Sequence, residues 1–263
     1  MNVQVNTAET DSFQMKYCKF GTGEKTAVIL PGLSAKHITD SAESVASAYK
    51  SLSKDYTVYL FDRREICPEN YTIKDMAEDT AKVFDMLNIK NAYVFGVSQG
   101  GMIAQYIAVN RPDLVSKLAL CSTVSRITAE NSGALKEWIK LAKQGDEPAL
   151  IKNICEMIFS EAFNKKFGDF LLQVMGGVTS EELERFIILA KSCDGFDISE
   201  RLCEIKCPVF TAVSKADKVF DYKETVFIAE KTNAELLVYE DYGHALYDEA
   251  PRFLDKLTEF FNK

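Results

Sequence analysis

The sequence lacks the features that would place it in several common functional classes. Its 263 residues include two histidines and one tryptophan, and its 39 Asp and Glu residues outnumber its 31 Lys and Arg residues. The resulting formal charge of −8 gives no general attraction for nucleic acid or for an anionic membrane surface. No apolar run approaches the roughly 18 residues that a membrane-spanning helix requires. We therefore expect neither nucleic-acid binding nor a membrane span.

Cysteine is present but follows no disulfide or metal-binding pattern. The seven cysteines are scattered along the chain and are odd in number. The N-terminal segment has neither the basic region nor the apolar stretch of a secretory signal, so we predict a cytoplasmic protein with reduced, mostly buried thiols. Cys203 and Cys207 are four residues apart, but no second pair of Cys or His accompanies them, and no metal site is expected there. The sequence leaves the oligomeric state open.

The hydrophobic pattern predicts an α/β fold. Two weakly alternating segments, Val3–Ala8 and Ser12–Phe20, predict an antiparallel hairpin. After them, continuous apolar runs of strand length alternate with stretches of helical periodicity, which is typical of a parallel sheet buried on both faces. The strand-bearing segments are Lys25–Gly32, Tyr56–Asp62, Asn91–Ser98, Lys117–Thr123, Cys207–Asp217 and Ala234–His244. The helical segments are Asp40–Leu52, Thr72–Leu87, Gln99–Asn110, Tyr222–Lys231 and, starting at a first-turn proline, about Pro251–Phe261.

The alternation stops between residues 124 and 202, where no strand pattern is found. This stretch instead predicts four amphipathic helices, at Ala134–Ala142, Pro148–Phe159, Asn164–Met175 and Thr179–Ser192. We therefore predict one α/β core, formed by residues 1–123 and 203–263, which is interrupted by a helical cap at residues 124–202. Six apolar residues of this cap could roof a substrate pocket or simply hold the cap together: Trp138, Ile139, Phe159, Phe163, Phe167 and Phe170.

A candidate nucleophile lies at the junction of a strand and a helix. Residues 96–100 read Gly-Val-Ser-Gln-Gly and match the G-x-S-x-G pattern of a nucleophile elbow. A sharp turn at this junction would hold Ser98 in a strained conformation with its oxygen exposed, and the glycines at 96 and 100 remove side chains that would collide. The N-terminal amides of the following helix favour negative charge at the same place. We predict that Ser98 is the nucleophile.

A serine hydroxyl needs a neighbouring base near neutral pH, and the chain offers two histidines. His244 follows the last predicted strand and therefore lies at the same edge of the sheet as Ser98. His37 lies in the loop after Gly32, where it is either a solvated loop residue or part of the pocket mouth. We predict that His244 is the general base.

The base in turn needs a carboxylate that fixes its tautomer and stabilises the imidazolium. Asp217 follows the strand that begins near Val209, and it gives the chain order Ser, Asp, His. Asp221 and Asp241 are nearby competitors. The end of the preceding strand, at residues 121–123, carries no acidic residue, which favours Asp217.

The oxyanion that develops during attack needs preorganised N–H donors. One donor is expected to be the amide of Gln99, directly after the nucleophile. The second should come from the loop after the strand at Lys25–Leu30, where Gly32 permits a close approach and Leu33 is the predicted donor, with Ser34 as the alternative.

Taken together, these segments resemble the α/β-hydrolase superfamily, and in particular its small, capped, esterase-like members. The likeness covers nearly the whole chain and rests on PGL at 31–33, FDRR at 61–64, GVSQGG at 96–101, SKAD at 214–217 and YGHALYDEAPRF at 242–253. The resemblance implies a mostly parallel eight-stranded core, a Ser-His-Asp triad, a small-molecule substrate and no cofactor. The sequence departs from the usual pattern at Pro31, where many members have His, and at residues 65–68, which replace a glycine-rich run.

The expected reaction is hydrolysis of an ester or related acyl bond through an acyl-Ser98 intermediate. Other enzymes with the same triad hydrolyse carbon–carbon bonds, remove N-terminal amino acids, transfer acyl groups or act as lyases, and spacing does not separate these activities. A third possibility is a small-molecule sensor that retains the pocket and signals by movement of the cap.

Overall fold

The computed structural model describes residues 2–263 and contains one mixed sheet of eight strands. The strands are β1 Gln4–Glu9, β2 Gln14–Phe20, β3 Lys25–Leu30, β4 Tyr56–Arg64, β5 Ala92–Val97, β6 Val115–Cys121, β7 Val209–Ser214 and β8 Glu235–Tyr239. Their spatial order is β1-β2-β4-β3-β5-β6-β7-β8. The β1–β2 and β2–β4 pairs are antiparallel, and every other pair is parallel. The predicted hairpin and the predicted mostly parallel sheet are both confirmed.

Ten helices accompany the sheet in the described part of the chain. They are α1 Ala42–Ala48, α2 Ile73–Met86, α3 Gln99–Asn110, α4 Gly133–Lys143, α5 Glu147–Ile158, α6 Glu161–Met175, α7 Ser180–Lys191, α8 Tyr222–Thr232, α9 Leu246–Glu249 and α10 Phe253–Asn262. Apolar side chains of α1 and α10 bury one face of the sheet, and those of α2, α3 and α8 bury the other. No helix within residues 2–263 combines the length and the apolar character needed to cross a bilayer.

Two helix starts were predicted incorrectly. The segment Asp40–Leu52 is not one helix, because a 3₁₀ turn at Ile38–Ser41 precedes α1 and another, at Lys50–Lys54, follows it. The amide of Ile38 donates to the Asp62 carboxylate at 3.0 Å, which fixes a tight turn before the helix. The last helix begins at Phe253 rather than at Pro251, because Arg252, with φ of −117° and ψ of 11°, has a non-helical backbone and forms the N-cap.

The four helices between β6 and β7 follow the predicted pattern closely. A capping box formed by Thr179 and Glu182 starts α7, at the predicted beginning of this helix. The third helix of the segment, α6, begins three residues earlier than predicted, because the Ser160 side chain accepts a hydrogen bond from the amide of Phe163 at 3.2 Å. Outside the named strands, one isolated antiparallel bridge joins Arg126 to Asp197 at the two ends of this segment.

The parallel strands determine where chemistry can occur. Since β3, β5, β7 and β8 all run in the same direction, the loops that follow them gather at one edge of the sheet. Ligands in open α/β sheets bind in the crevice outside this edge. All the residues predicted to take part in the reaction follow these four strands.

Candidate active site

Ser98 joins β5 to α3 in a strained backbone conformation. Its φ of 51° and ψ of −120° lie in a region that residues with a side chain rarely occupy. The surroundings hold this turn, because the Ser98 amide donates to the Cys121 carbonyl at 3.0 Å and the Ser98 carbonyl accepts from the Thr123 hydroxyl at 2.7 Å. The serine side chain is half-buried at the edge of the sheet. This is the geometry of a nucleophile elbow.

The two glycines of the elbow are required by close backbone contacts. A Cβ atom on Gly100 would lie 2.0 Å from the carbonyl oxygen of Leu30, and one on Gly96 would lie 2.7 Å from the carbonyl oxygen of Gly100. Both obstacles are backbone atoms, so a side chain could be accommodated only by moving a strand or a helix. The glycines therefore allow α3 to pack against the end of β3.

His244 and Asp217 form a buried pair beside the elbow. Nδ1 of His244 donates to Oδ2 of Asp217 at 2.8 Å, and both side chains are almost fully buried. The other carboxylate oxygen of Asp217 accepts from the amides of Val219 at 2.8 Å and Phe220 at 3.1 Å. These three bonds fix the carboxylate, and the carboxylate leaves the second ring nitrogen of His244 free to act as a base.

The two competing acids have different surroundings. Asp221 caps α8, where its side chain accepts a hydrogen bond from the amide of Lys223 at 3.0 Å. Asp241 lies on the surface. Of the three carboxylates considered, the structure therefore brings only Asp217 to the histidine.

The predicted oxyanion donors flank Ser98. A Cβ atom on Gly32 would lie 3.3 Å from Cβ of Ser98 and 3.9 Å from its hydroxyl oxygen, which places the loop after β3 directly beside the elbow. The amide of Leu33 donates no hydrogen bond within residues 2–263. The amide of Gln99 is the first of α3 and has no partner one turn earlier in its own helix. Both amides are therefore available to a ligand.

Ser98 and His244 line the same cavity, of about 330 Å³, between the sheet edge and the α4–α7 segment. We call it the main cavity. The Ser98 hydroxyl makes no hydrogen bond within the described residues, as is common for catalytic groups before substrate binds. Of the six apolar residues considered as a roof, Trp138 and Phe159 line the main cavity. The four others do not line it: Ile139, Phe163, Phe167 and Phe170.

His37 belongs to a buried ionic cluster and also lines the main cavity. Its Nδ1 bonds to one oxygen of Asp62 at 3.0 Å, and Arg185 of α7 donates to the other oxygen at 2.8 Å. Burial alone would raise the pKa of Asp62, but the hydrogen bond from His37 and the charge of Arg185 lower it to about 2. His37 is therefore a pocket residue held by a structural ion pair, rather than a solvated loop residue.

A second buried arginine connects the helical segment to the loop after β3, which we call the oxyanion loop because it carries the predicted donor Leu33. The sequence did not indicate this role. Nη2 of Arg63 donates to the Pro31 carbonyl at 2.7 Å and to the Gln99 side chain at 3.3 Å. The side-chain Nε2 of Gln99 in turn donates to the Leu189 carbonyl of α7 at 2.7 Å. The sequence feature that could have indicated it is the charged run at residues 62–64, at the end of a buried strand, because a buried charge must find partners.

Comparison with known proteins is consistent with this geometry. Residues 27–147 match the family described as "alpha/beta hydrolase fold". RutD of Rhizobium rhizogenes, provisionally named a carbamate hydrolase, is 25% identical over 254 residues, which cover 90% of this chain and 92% of RutD. The 3-oxoadipate enol-lactonase 1 of Acinetobacter baylyi is 21% identical over 217 residues, which cover 81% of this chain and 79% of that protein.

Solved structures share the same architecture. An α/β hydrolase from a Medee basin deep-sea metagenome library, MGS-M2, superimposes with a TM-score of 0.87 at 23% identity and covers 98% of both chains. The enol-lactonase from Burkholderia xenovorans gives a TM-score of 0.85 at 19% identity and covers 98% of this chain and 100% of its own. The chain has the fold of the α/β-hydrolase superfamily. The comparisons together support a hydrolase with this fold.

The two departures from the usual superfamily pattern both lie near the oxyanion loop. Pro31 replaces a common histidine, and its carbonyl receives the Arg63 hydrogen bond described above. In the segment after β4, the Glu65 side chain pairs with Lys16 at 2.7 Å, and Cys67 is buried. Where the usual pattern has a glycine-rich run, this chain therefore has a charged pair and a buried cysteine.

Proposed function

We propose that this α/β-hydrolase is a serine hydrolase that cleaves an ester or related acyl bond through an acyl-Ser98 intermediate. The observation that carries the proposal is the convergence of three features at one cavity: the strained Ser98 elbow, the paired His244 and Asp217, and the two available amides of Leu33 and Gln99. Acyl transfer requires this set of a nucleophile, an oriented base and an oxyanion site.

The reaction would proceed in two halves. Nε2 of His244 accepts the Ser98 proton while the serine oxygen attacks the substrate carbonyl, and the oxyanion binds the two amides. The histidine then returns the proton to the leaving group, the bond to that group breaks, and the acyl-serine remains. In the second half His244 deprotonates a water molecule, whose oxygen attacks the acyl carbon. The acid leaves as the proton returns to Ser98.

The cavity and the relatives support a small or medium, partly apolar substrate. A volume of about 330 Å³ lies near the lower end of the range for small-molecule sites. Its walls are largely apolar and include Trp138, Ile151 and Phe186. The relatives are named for a carbamate and for an enol lactone, and both names indicate attack on a carbonyl carbon bonded to a heteroatom. We infer that residues 124–202 act as a cap that covers this cavity.

The test is the activity of Ser98→Ala on a series of 4-nitrophenyl esters of increasing acyl length. We expect turnover to fall by at least about 10³-fold with no change in folding. Ser51→Ala, at an exposed position outside the main cavity, is the matched control. A fluorophosphonate probe should label the wild type and the control at Ser98, as read by mass spectrometry, and should not label Ser98→Ala. Undiminished turnover in Ser98→Ala would refute the proposal.

A further inference from the structure

A second cavity, of about 340 Å³, adjoins the main cavity on the far side of the oxyanion loop. It extends under the loop towards α1, where Val45, Ala48 and Tyr49 line it. The two cavities share wall residues from the loop, the helical segment and α9: Gly32, Leu33, Ser34, Ile38, Ile158, Phe159, Met175, Tyr247 and Asp248. The two cavities therefore meet at a common wall that these residues form.

Asp248 is the only carboxylate among the residues that line either cavity. It lies in α9, four residues after His244. Its side chain lines both cavities and is accessible to solvent. Because protein surrounds the carboxyl group and Glu249 adds a negative charge beside it, the pKa of Asp248 is raised to about 7. No hydrogen bond contributes to that pKa.

The neighbouring Glu249, in contrast to Asp248, is a carboxylate whose hydrogen bonds support the fold. One of its oxygens accepts from the amides of Ser160 and Gly243, each at 2.9 Å, and the other bonds to the Ser160 hydroxyl. Glu249 thus ties α9 to the start of α6. Within residues 2–263 the Asp248 carboxylate has no such hydrogen bonds, so the packing of α9 does not explain why a carboxylate is present at this position.

The basic side chains of the cavities, Lys36, His37 and His244, already have hydrogen-bond partners, and His244 is bonded to Asp217 as described above. Lys36 donates to the carbonyl oxygen of Gly176 at 2.5 Å, and His37 is bonded to Asp62. An unpaired carboxylate between largely apolar walls favours a ligand that carries a positive charge and an N–H donor. Of common substrate groups, a protonated amine on an otherwise apolar chain meets both conditions.

We propose that Asp248 is a specificity subsite that binds a protonated amine of the substrate, at the junction of the two cavities. This inference rests on the proposed function, because it assigns a substrate class to the same site: aminoalkyl esters, with the amine on either the acyl or the alcohol side. The carboxylate accepts the N–H of the ammonium group, and the apolar walls enclose its alkyl chain.

Two pairs of esters test the subsite, each comparing a dimethylammonium group with its isopropyl isostere. The first pair is the 3-(dimethylamino)propyl and 4-methylpentyl esters of benzoic acid. The second is the phenyl esters of 4-(dimethylamino)butanoic and 5-methylhexanoic acids. At pH 8, above the pKa of Asp248, we expect kcat/KM of the wild type to favour the amine of at least one pair by about tenfold to hundredfold. Asp248→Asn should abolish that preference while retaining turnover of the isopropyl ester.

Asp241→Asn is the matched control, because it removes an exposed carboxylate of the same segment that lines neither cavity. It should keep the preference of the wild type. No preference in either pair, or an equal preference in Asp248→Asn, overturns the subsite.

Calorimetry in the Ser98→Ala background separates this result from the proposed function, because it measures binding of the intact esters without turnover. Tighter binding of the amine that disappears in the Ser98→Ala, Asp248→Asn double variant supports the subsite even if the wild type hydrolyses none of the four esters. A preference for the amine that is the same in both backgrounds, or no preference in either, contradicts the subsite. Failure of all turnover in the wild type would count against the proposed function alone.

Discussion

Replacement of Asp217 by Asn is expected to hold His244 in the wrong tautomer. The amides of Val219 and Phe220 donate to one oxygen of Asp217, so the carbonyl oxygen of an asparagine will face these two donors. Its NH₂ group must then point at Nδ1 of His244, which lies 2.8 Å from the other oxygen in the wild type. The histidine has to accept this hydrogen bond, and its single ring proton moves to Nε2. That nitrogen can no longer take the proton of Ser98.

The size of the effect follows from the loss of the base. The same substitution in a Ser-His-Asp protease lowers kcat about 10⁴-fold, which corresponds to about 5 kcal/mol of transition-state stabilisation. Asparagine keeps the volume of the side chain and both amide contacts. We therefore expect the free energy of unfolding to change by roughly 1 kcal/mol or less.

The assay is kcat for a 4-nitrophenyl ester near neutral pH, with urea unfolding of the same preparations. Asp241→Asn is the control, since it changes a surface carboxylate three residues before His244. A folded Asp217→Asn protein whose kcat stays within tenfold of the wild type would show that the carboxylate does not set the tautomer, and the assignment of Asp217 would fail.

Three further predictions concern the support of the site. Arg63→Met removes the donor to the Pro31 carbonyl, so kcat should fall about 10²-fold with a smaller change in KM. A rise in KM as large as the fall in kcat would contradict a positioning role. Gly100→Ala should lower the free energy of unfolding in urea by about 3 kcal/mol, whereas Gly133→Ala, where a Cβ meets no atom within 4 Å, should not. Asp62 has a folded pKa of about 2 against about 3.9 unfolded, so it stabilises the fold above pH ~4 and loses this contribution as the pH falls towards 2. From pH 5 to pH 3 the wild type should therefore lose about 1 kcal/mol more than Asp62→Asn, and identical slopes would contradict the ion pair.

The sheet and most helices could be predicted because their signals are local. The continuous apolar runs of β3, β5 and β6 show burial on both faces, and the capping box at Thr72 and Asp75 marks the start of α2 in sequence and structure alike. The errors arose where a distant group decides the outcome. The turn before α1 depends on the Asp62 carboxylate, which is 24 residues from Ile38. A window of neighbouring residues does not contain that partner.

The candidate site was predictable to the extent that strand direction determines position. Each parallel strand delivers its following loop to one edge, so Ser98, Asp217 and His244 could be grouped without knowing any distance. Which of three nearby carboxylates reaches the histidine is a question of side-chain direction. Asp217 and Asp221 are four residues apart, yet one bonds to His244 and the other caps α8.

The helical segment contributes what the core sequence alone could not indicate. Arg185 of α7 neutralises the Asp62 carboxylate of β4, and the Leu189 carbonyl, one turn later, receives the Gln99 side chain. Contacts that cross from the core to α7 therefore fix Gln99, which follows Ser98. Through Arg63 they also support the loop after β3. A rearrangement of α7 would disturb the two proposed oxyanion donors as well as the cavity wall to which Phe186 belongs. The packing of this helix is thus part of the preorganisation of the site, and only the folded chain brings its residues to the sheet edge.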